Sequence, residues 1–172
     1  GKAFSAGVAV EDHLGDRVKP MLDGFHRIFQ QLRTLPVPTV AAVQGAALGG
    51  GAELATFCDW VLAGEAATFG QPEIKVGVFP PIAALHYPHR IGAARALQLL
   101  LTGDVIGARE AERIGLVDRV VPAGQLDAAV AETVGKLTDK SRVVLALTRR
   151  AVFEGQGRPF DAGLAALEAL YH

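Results

Sequence analysis

The sequence predicts an α/β domain, and three observations carry that reading. A near-continuous apolar run occupies 38–48 (PTVAAVQGAAL), and an amphipathic pattern with apolar spacings of three and four occupies 18–35. Strand-like segments come early in the chain, and helical ones crowd its end.

Taken in order, residues 2–10 alternate weakly and contain Ser5-Ala6-Gly7, which predicts a short strand running into a tight turn. In 18–35, Met21, Leu22, Phe25, Ile28, Phe29 and Leu32 share one helical face, and Pro36 and Pro38 end the helix. The run 38–48 reads as one strand buried on both faces. Residues 52–64 read as a helix with Gly64 as its C′ residue, and 67–81, broken by Gly and Pro, as strand and loop. A helix is expected from about Ala93 to Leu101, then a short one over 107–117 stopped by Gly115. A strand over 116–122 is punctuated by Pro122, and 124–139 and 141–155 are both helical. The chain opens on GKAFSAGVAV without an initiator Met and closes on the helical LAALEALYH without a C-cap. Both ends read as interruptions, so the sequence is expected to be the middle of a longer polypeptide.

Composition narrows the function classes. At 172 residues the chain fits one compact domain, and 50% apolar with 20% charged residues is ordinary for a globular protein. A net charge of −1 without a run of Lys or Arg argues against nucleic acid as a partner. The single cysteine, Cys58, excludes an internal disulfide and any multi-cysteine metal site, and reads as a small buried apolar residue. No apolar run reaches the roughly 18 residues that span a bilayer, and no signal peptide is visible. The expected location is therefore cytoplasmic, away from the membrane.

The chemistry concentrates in GAALGGGAELA, residues 45–55. Three consecutive glycines, Gly49 to Gly51, weaken any regular element, and the acid Glu53 is costly to bury unpaired. A strand, a Gly-rich turn and then a helix leave free backbone N–H groups at the positive end of a helix dipole. That is an anion site. The phosphate-loop ending Gly-Lys-Ser/Thr is absent, since Gly51 leads into Ala52 and Glu53, and the dinucleotide glycine spacing is unmatched. A small transient charge fits better: a carbonyl oxygen becoming an enolate beside a carboxylate that moves protons. Close packing by the glycines with a solvated Glu53 is the plain alternative.

Four separated segments, 1–10, 38–80, 91–122 and 141–152, together resemble the enoyl-CoA hydratase/isomerase (crotonase) superfamily, in that family's order and over essentially the whole chain. The resemblance implies a spiral of repeated ββα units with C-terminal helices, lacking its first and last segments. It divides the chain into an acyl-CoA-binding core, 1–122, and a helical part, 123–172, belonging to the same domain or to trimerisation. It further implies a homotrimer or dimer of trimers, and an acyl-CoA thioester substrate. Coenzyme A would enter only as part of that substrate, with no metal or redox cofactor. The thioester oxygen would rest on the backbone N–H groups of Val8 and Gly50. Glu53 and Glu73 would be catalytic, Glu53 activating water and Glu73 sharing that task and exchanging the α-proton. Ala6, Gly49, Pro81 and Ile82 would contact substrate.

Retention of both acids favours hydration or dehydration over isomerisation, because family isomerases often lack one of them. An enoyl-CoA isomerase and a non-catalytic binding protein on the same fold are the alternatives. Two departures matter. Ala9 stands where many relatives carry an acid, and VFPPIAALHYPHRIG (78–92) replaces the family's glycine-rich loop with two prolines and Ile82. FSAGV, Glu11-Asp12-His13 and FPPIAA together are similar to cyclohexa-1,5-diene-1-carbonyl-CoA hydratases, which suggests a ring dienoyl thioester. His13, His26, His86, His89 and His172 show no metal spacing, and packing or surface roles are expected of them. Trp60 and the phenylalanines are core candidates, Lys2 is a solvated lysine, and Arg149 and Arg150 are expected on a solvent face. The alternating charges of 108–119 suit an exposed helix.

Overall fold

The computed structural model describes residues 1–171, so His172 lies outside the described residues. Helix α1 (Val18–Thr34) precedes two strand pairs: β1 (Val40–Val43) with β2 (Ala46–Leu48), and β3 (Trp60–Gly64) with β4 (Thr68–Gly70). Helix α2 (Gly50–Phe57) lies between the pairs, and α3 (Pro81–Ile91) and α4 (Ala93–Thr102) follow the second. Then come β5 (Val105–Gly107), α5 (Ala108–Arg113), β6 (Arg119–Val121), α6 (Leu126–Thr138), α7 (Arg142–Gly155) and α8 (Phe160–Tyr171). Strands β1, β3 and β6 form one parallel sheet; β2, β4 and β5 form another, in which β4 and β5 run antiparallel. Each strand pair therefore steps from the first sheet to the second before a helix returns the chain. This is the ββα spiral expected from the resemblance.

Several local expectations need correction. The run 38–48 is two strands in different sheets, because Gly45, at φ 68°, turns the chain between them, and β1 leaves Ala42 exposed. Residues 52–64 are not one helix. Cys58 is extended (φ −63°, ψ 154°) and ends α2, and Asp59 accepts the Thr39 N–H at 2.6 Å, which brings the next segment alongside β1. WVLAG is thereby β3, the central strand of its sheet, and Gly64 ends a strand rather than a helix. The segment 2–10 contributes only a single parallel bridge, Ser5 to Ala47.

Helix α3 escapes a reading of proline as a breaker. Pro81 occupies the first turn, where its missing N–H costs nothing, and Pro88 removes one interior bond. Ala83, Tyr87 and Ile91, four apart, bury one face of α3 and offset that loss. Trp60 is exposed at the start of β3, and Phe79 and Phe160 are exposed, whereas Phe29 and Phe69 are core. Cys58 is half-buried, its thiol donating to the Leu54 carbonyl at 3.6 Å.

Small residues set the spacing of the core. Ala47, Ala52, Ala55 and Ala63 are fully buried beside Val43, Val61 and Phe69, so α2 approaches both sheets closely. Helix α6 covers the outer sheet through Ala129, against Leu62 and Val121. Arg149 of α7 is not on a solvent face: it is 7% exposed and pairs with Asp59. Arg150 is exposed as expected. Among the described residues no helix is long and apolar enough to cross a membrane.

Candidate active site

The turn after β2 shows why the chain spends three glycines there. Gly49 sits at φ 53°, ψ −129°, a region that disfavours any side chain, and it directly precedes α2. Its N–H donates to Gly70 O and its carbonyl accepts from Glu53 N–H, both at 2.9 Å. A methyl group on Gly49 would lie 2.6 Å from Glu73 Oε1, so the glutamate leans over the bare backbone. The Gly50 N–H belongs to the first turn of α2, where no intrahelical acceptor exists.

The turn around Gly7 arrives at the same place from the other end of the chain. Gly7 adopts φ 91°, and a methyl there would stand 3.0 Å from the Gly50 nitrogen. Leu48 N–H donates to Ser5 O at 2.9 Å and holds this loop against β2. Val8 and Gly50 both line one cavity of 520 Å³. Glu53 and Glu73 line it too, with Ala6, Gly49 and Pro81. Ile82 does not; its amide faces Glu53 instead. Val18, Met21, Leu22 and Phe25 of α1 and Val76, Val78 and Phe79 supply apolar wall.

The two acids reach this cavity by different routes. Glu53 is on α2, 3% exposed, and its Oε1 accepts the Ala83 N–H at 2.8 Å. Helix α3 has Pro80 at its N-cap without a side-chain acceptor, so Glu53 caps α3 from outside. Burial nonetheless outweighs those amides, and with Glu73 nearby it pushes the Glu53 carboxyl up to about 7. Glu73 sits in the 3₁₀ turn Pro72–Val76, and burial raises its carboxyl as well, with His13 opposing the rise. The two carboxyls line one apolar cavity, and burial pushes both toward protonation.

Two residues of the site, Gln71 and Tyr87, escaped the sequence, and a third, His13, was expected only in a packing or surface role. His13 lines the cavity, in the 3₁₀ turn that follows the Val8 loop. Its Nδ1 is 3.0 Å from the Ala9 carbonyl, which can only accept, so Nδ1 is the donor of that bond. Gln71 and Tyr87 are 0% and 1% exposed and stand behind Glu73. Gln71 lies two residues before Glu73, the one signal that could have marked it. Tyr87 is brought in only by α3. His86, by contrast, donates from Nε2 to the Thr56 carbonyl at 2.9 Å, and burial pushes it down to about 4, a packing role.

Comparison with known proteins identifies the family. The family model for enoyl-CoA hydratase/isomerase matches residues 1–169. A probable enoyl-CoA hydratase of Mycobacterium bovis is 38% identical over 174 residues, covering 99% of this chain and 67% of that protein. A cyclohexa-1,5-dienecarbonyl-CoA hydratase of Thauera aromatica is 42% identical over 118 residues, covering 69% of this chain and 46% of its own length. The crystal structure of an enoyl-CoA hydratase from Bacillus anthracis superposes with a TM-score of 0.93 at 30% identity, covering 99% of this chain and 68% of that one. The chain thus spans from about half to about two thirds of the relatives it matches. By its matched length, its spiral of ββα units and its relatives, this chain belongs to the enoyl-CoA hydratase/isomerase family.

Proposed function

We propose that this chain adds water reversibly across the α,β double bond of an acyl-CoA thioester, with the glutamate pair as its proton-moving groups. The observation that carries the reading is the opening of Glu53 and Glu73 into the one cavity that also receives the Val8 and Gly50 backbone. Hydration needs an activated water, a proton for the α-carbon and a place for negative charge on the thioester oxygen. The Val8 and Gly50 N–H groups would hold that oxygen as it becomes enolate-like, an effect of about 3–4 kcal/mol per donor. Ionised Glu53 would take a proton from water as the water oxygen bonds to the β-carbon. Protonated Glu73 would deliver a proton to the α-carbon. Dehydration runs the same transfers backward, so each acid must serve in both protonation states.

No metal or redox group enters these steps; coenzyme A enters only as part of the substrate. Assembly as a homotrimer or dimer of trimers belongs to the same reading. Exposed Leu85, Leu97 and Leu101 on α3 and α4 offer an apolar face for it.

A narrower reading of the acyl group is a ring dienoyl thioester. The FSAGV, Glu11-Asp12-His13 and FPPIAA segments and the 42% identity to the Thauera protein favour it. Turnover across linear, aromatic and cyclic enoyl-CoA thioesters, read by mass, tests both readings. A gain of one water on any of them supports hydration; shifted double bonds without mass change support isomerisation instead. Turnover of linear but not cyclic thioesters removes the narrower reading.

A further inference from the structure

Behind Glu73 lies a chain of buried polar groups that water cannot serve. Gln71 stands between the Glu73 carboxyl and the Tyr87 hydroxyl, and one orientation of its amide pairs both. With nitrogen toward Glu73, the amide donates to Oε2 at 3.1 Å and Oε1 at 3.2 Å, and its oxygen accepts from Tyr87 O–H at 2.8 Å. That arrangement suits an ionised Glu73, which can only accept.

We propose that Tyr87 is a positioning residue for the reaction: its hydroxyl, donating to the Gln71 oxygen, fixes the amide so that its nitrogen faces the Glu73 carboxyl. The proposal rests on the reading of Glu73 as the group that gains and loses a proton. A buried donor or acceptor left without a partner is costly, so without the Tyr87 hydroxyl the Gln71 amide loses what holds its nitrogen toward the acid. The other charged groups lining the cavity with Glu73 are Glu53 on α2, His13 in the turn after Val8 and Lys75 in Glu73's own turn.

The experiment compares Tyr87→Phe, Gln71→Met and the double variant. It reads hydration of the but-2-enoyl thioester of CoA, and the infrared carboxyl stretch of Glu73 in the free protein, identified by its loss in Glu73→Gln. Tyr87→Phe should lower kcat about 5- to 20-fold with KM within about twofold, since the loss acts on proton transfer rather than binding. The Glu73 carboxyl signal should persist to higher pH in Gln71→Met, which loses an N–H donor to the carboxylate, and by a smaller step in Tyr87→Phe. On the Gln71→Met background, Tyr87→Phe should change neither readout further. Full additivity, or an unmoved carboxyl titration in both single variants, would overturn the proposal. If Tyr87→Phe does not accumulate folded, Gln71→Met carries the titration alone, and an unmoved signal there overturns it equally. Because that signal needs no turnover, failure of the hydration reading and failure of this one are separate results.

Discussion

Two buried ionic regions of this molecule are built in opposite ways. Arg149, 7% exposed, is fully compensated: its Nε meets Asp59 at 3.0 and 2.8 Å, and its other nitrogens donate to the carbonyls of Leu32, Arg33 and Leu35 at 2.7–3.1 Å. The Phe153 ring covers the guanidinium at 4.8 Å. Glu53, 3% exposed, faces another acid across an apolar cavity and has backbone amides of α3 as its partners. The first arrangement leaves a charge no reason to change and pins α7 to α1 and β3. The second leaves a proton nearly balanced between on and off. Burial alone does not mark a functional charge; incomplete compensation inside a cavity does.

The contrast can be broken from either side. The largest effect is expected at the site, where Glu73→Gln should lower the kcat of hydration by about 10²–10⁴-fold while leaving the unfolding midpoint nearly unchanged. Arg149→Met should do the reverse. It strands buried Asp59 and should cost about 3–5 kcal/mol in denaturant unfolding, with near-normal turnover in the protein that remains folded. Between these, Gly49→Ala puts a methyl 2.6 Å from Glu73 Oε1 at positive φ, and should lower kcat about tenfold or more, with a loss of stability of about 1–3 kcal/mol.

A pH series sharpens the comparison. The Glu53 carboxyl is raised in the folded state, from 4.5 to about 7, so the folded chain binds more protons than the unfolded one across that window. Its contribution to stability is therefore lost as pH rises from about 4.5 through 7, in total about 3 kcal/mol. Glu53→Gln should thus be more stable than the original chain at pH 8 and no more stable at pH 4, by thermal unfolding. A wild-type-like pH profile would contradict the raised carboxyl of Glu53. The smallest effect is expected at the exposed Arg113–Glu110 pair on α5, where Glu110→Gln should leave unfolding midpoint and turnover unchanged.

Much of this was legible in the sequence where a local rule sufficed. The apolar face of α1, the glycine stop at Gly115 and the acid beside the glycine triplet all state their own geometry. What was not legible depends on packing. Gly45 hides a change of sheet inside one apolar run, and WVLAG continues a helical pattern until pairing with β1 and β6 makes it a strand. Arg149 reads as surface beside Arg150, because the carbonyls that receive it come from a segment over a hundred residues away. Tyr87 carries no local signal of its place, because α3 is held by buried contacts and by a cap that Glu53 lends it. Val8, Gly50, Glu53 and Glu73 were named from resemblance together with the glycine geometry, and they share one cavity.

The central claim is that the two cavity acids work as one proton-sharing unit, and a kinetic cycle on Glu53→Gln, Glu73→Gln and their combination tests it most directly. Hydration of an enoyl-CoA thioester, followed by mass, should fall by orders of magnitude in each single variant and little further in the double. Losses that multiply, or a single variant that still hydrates at the original rate, would contradict it.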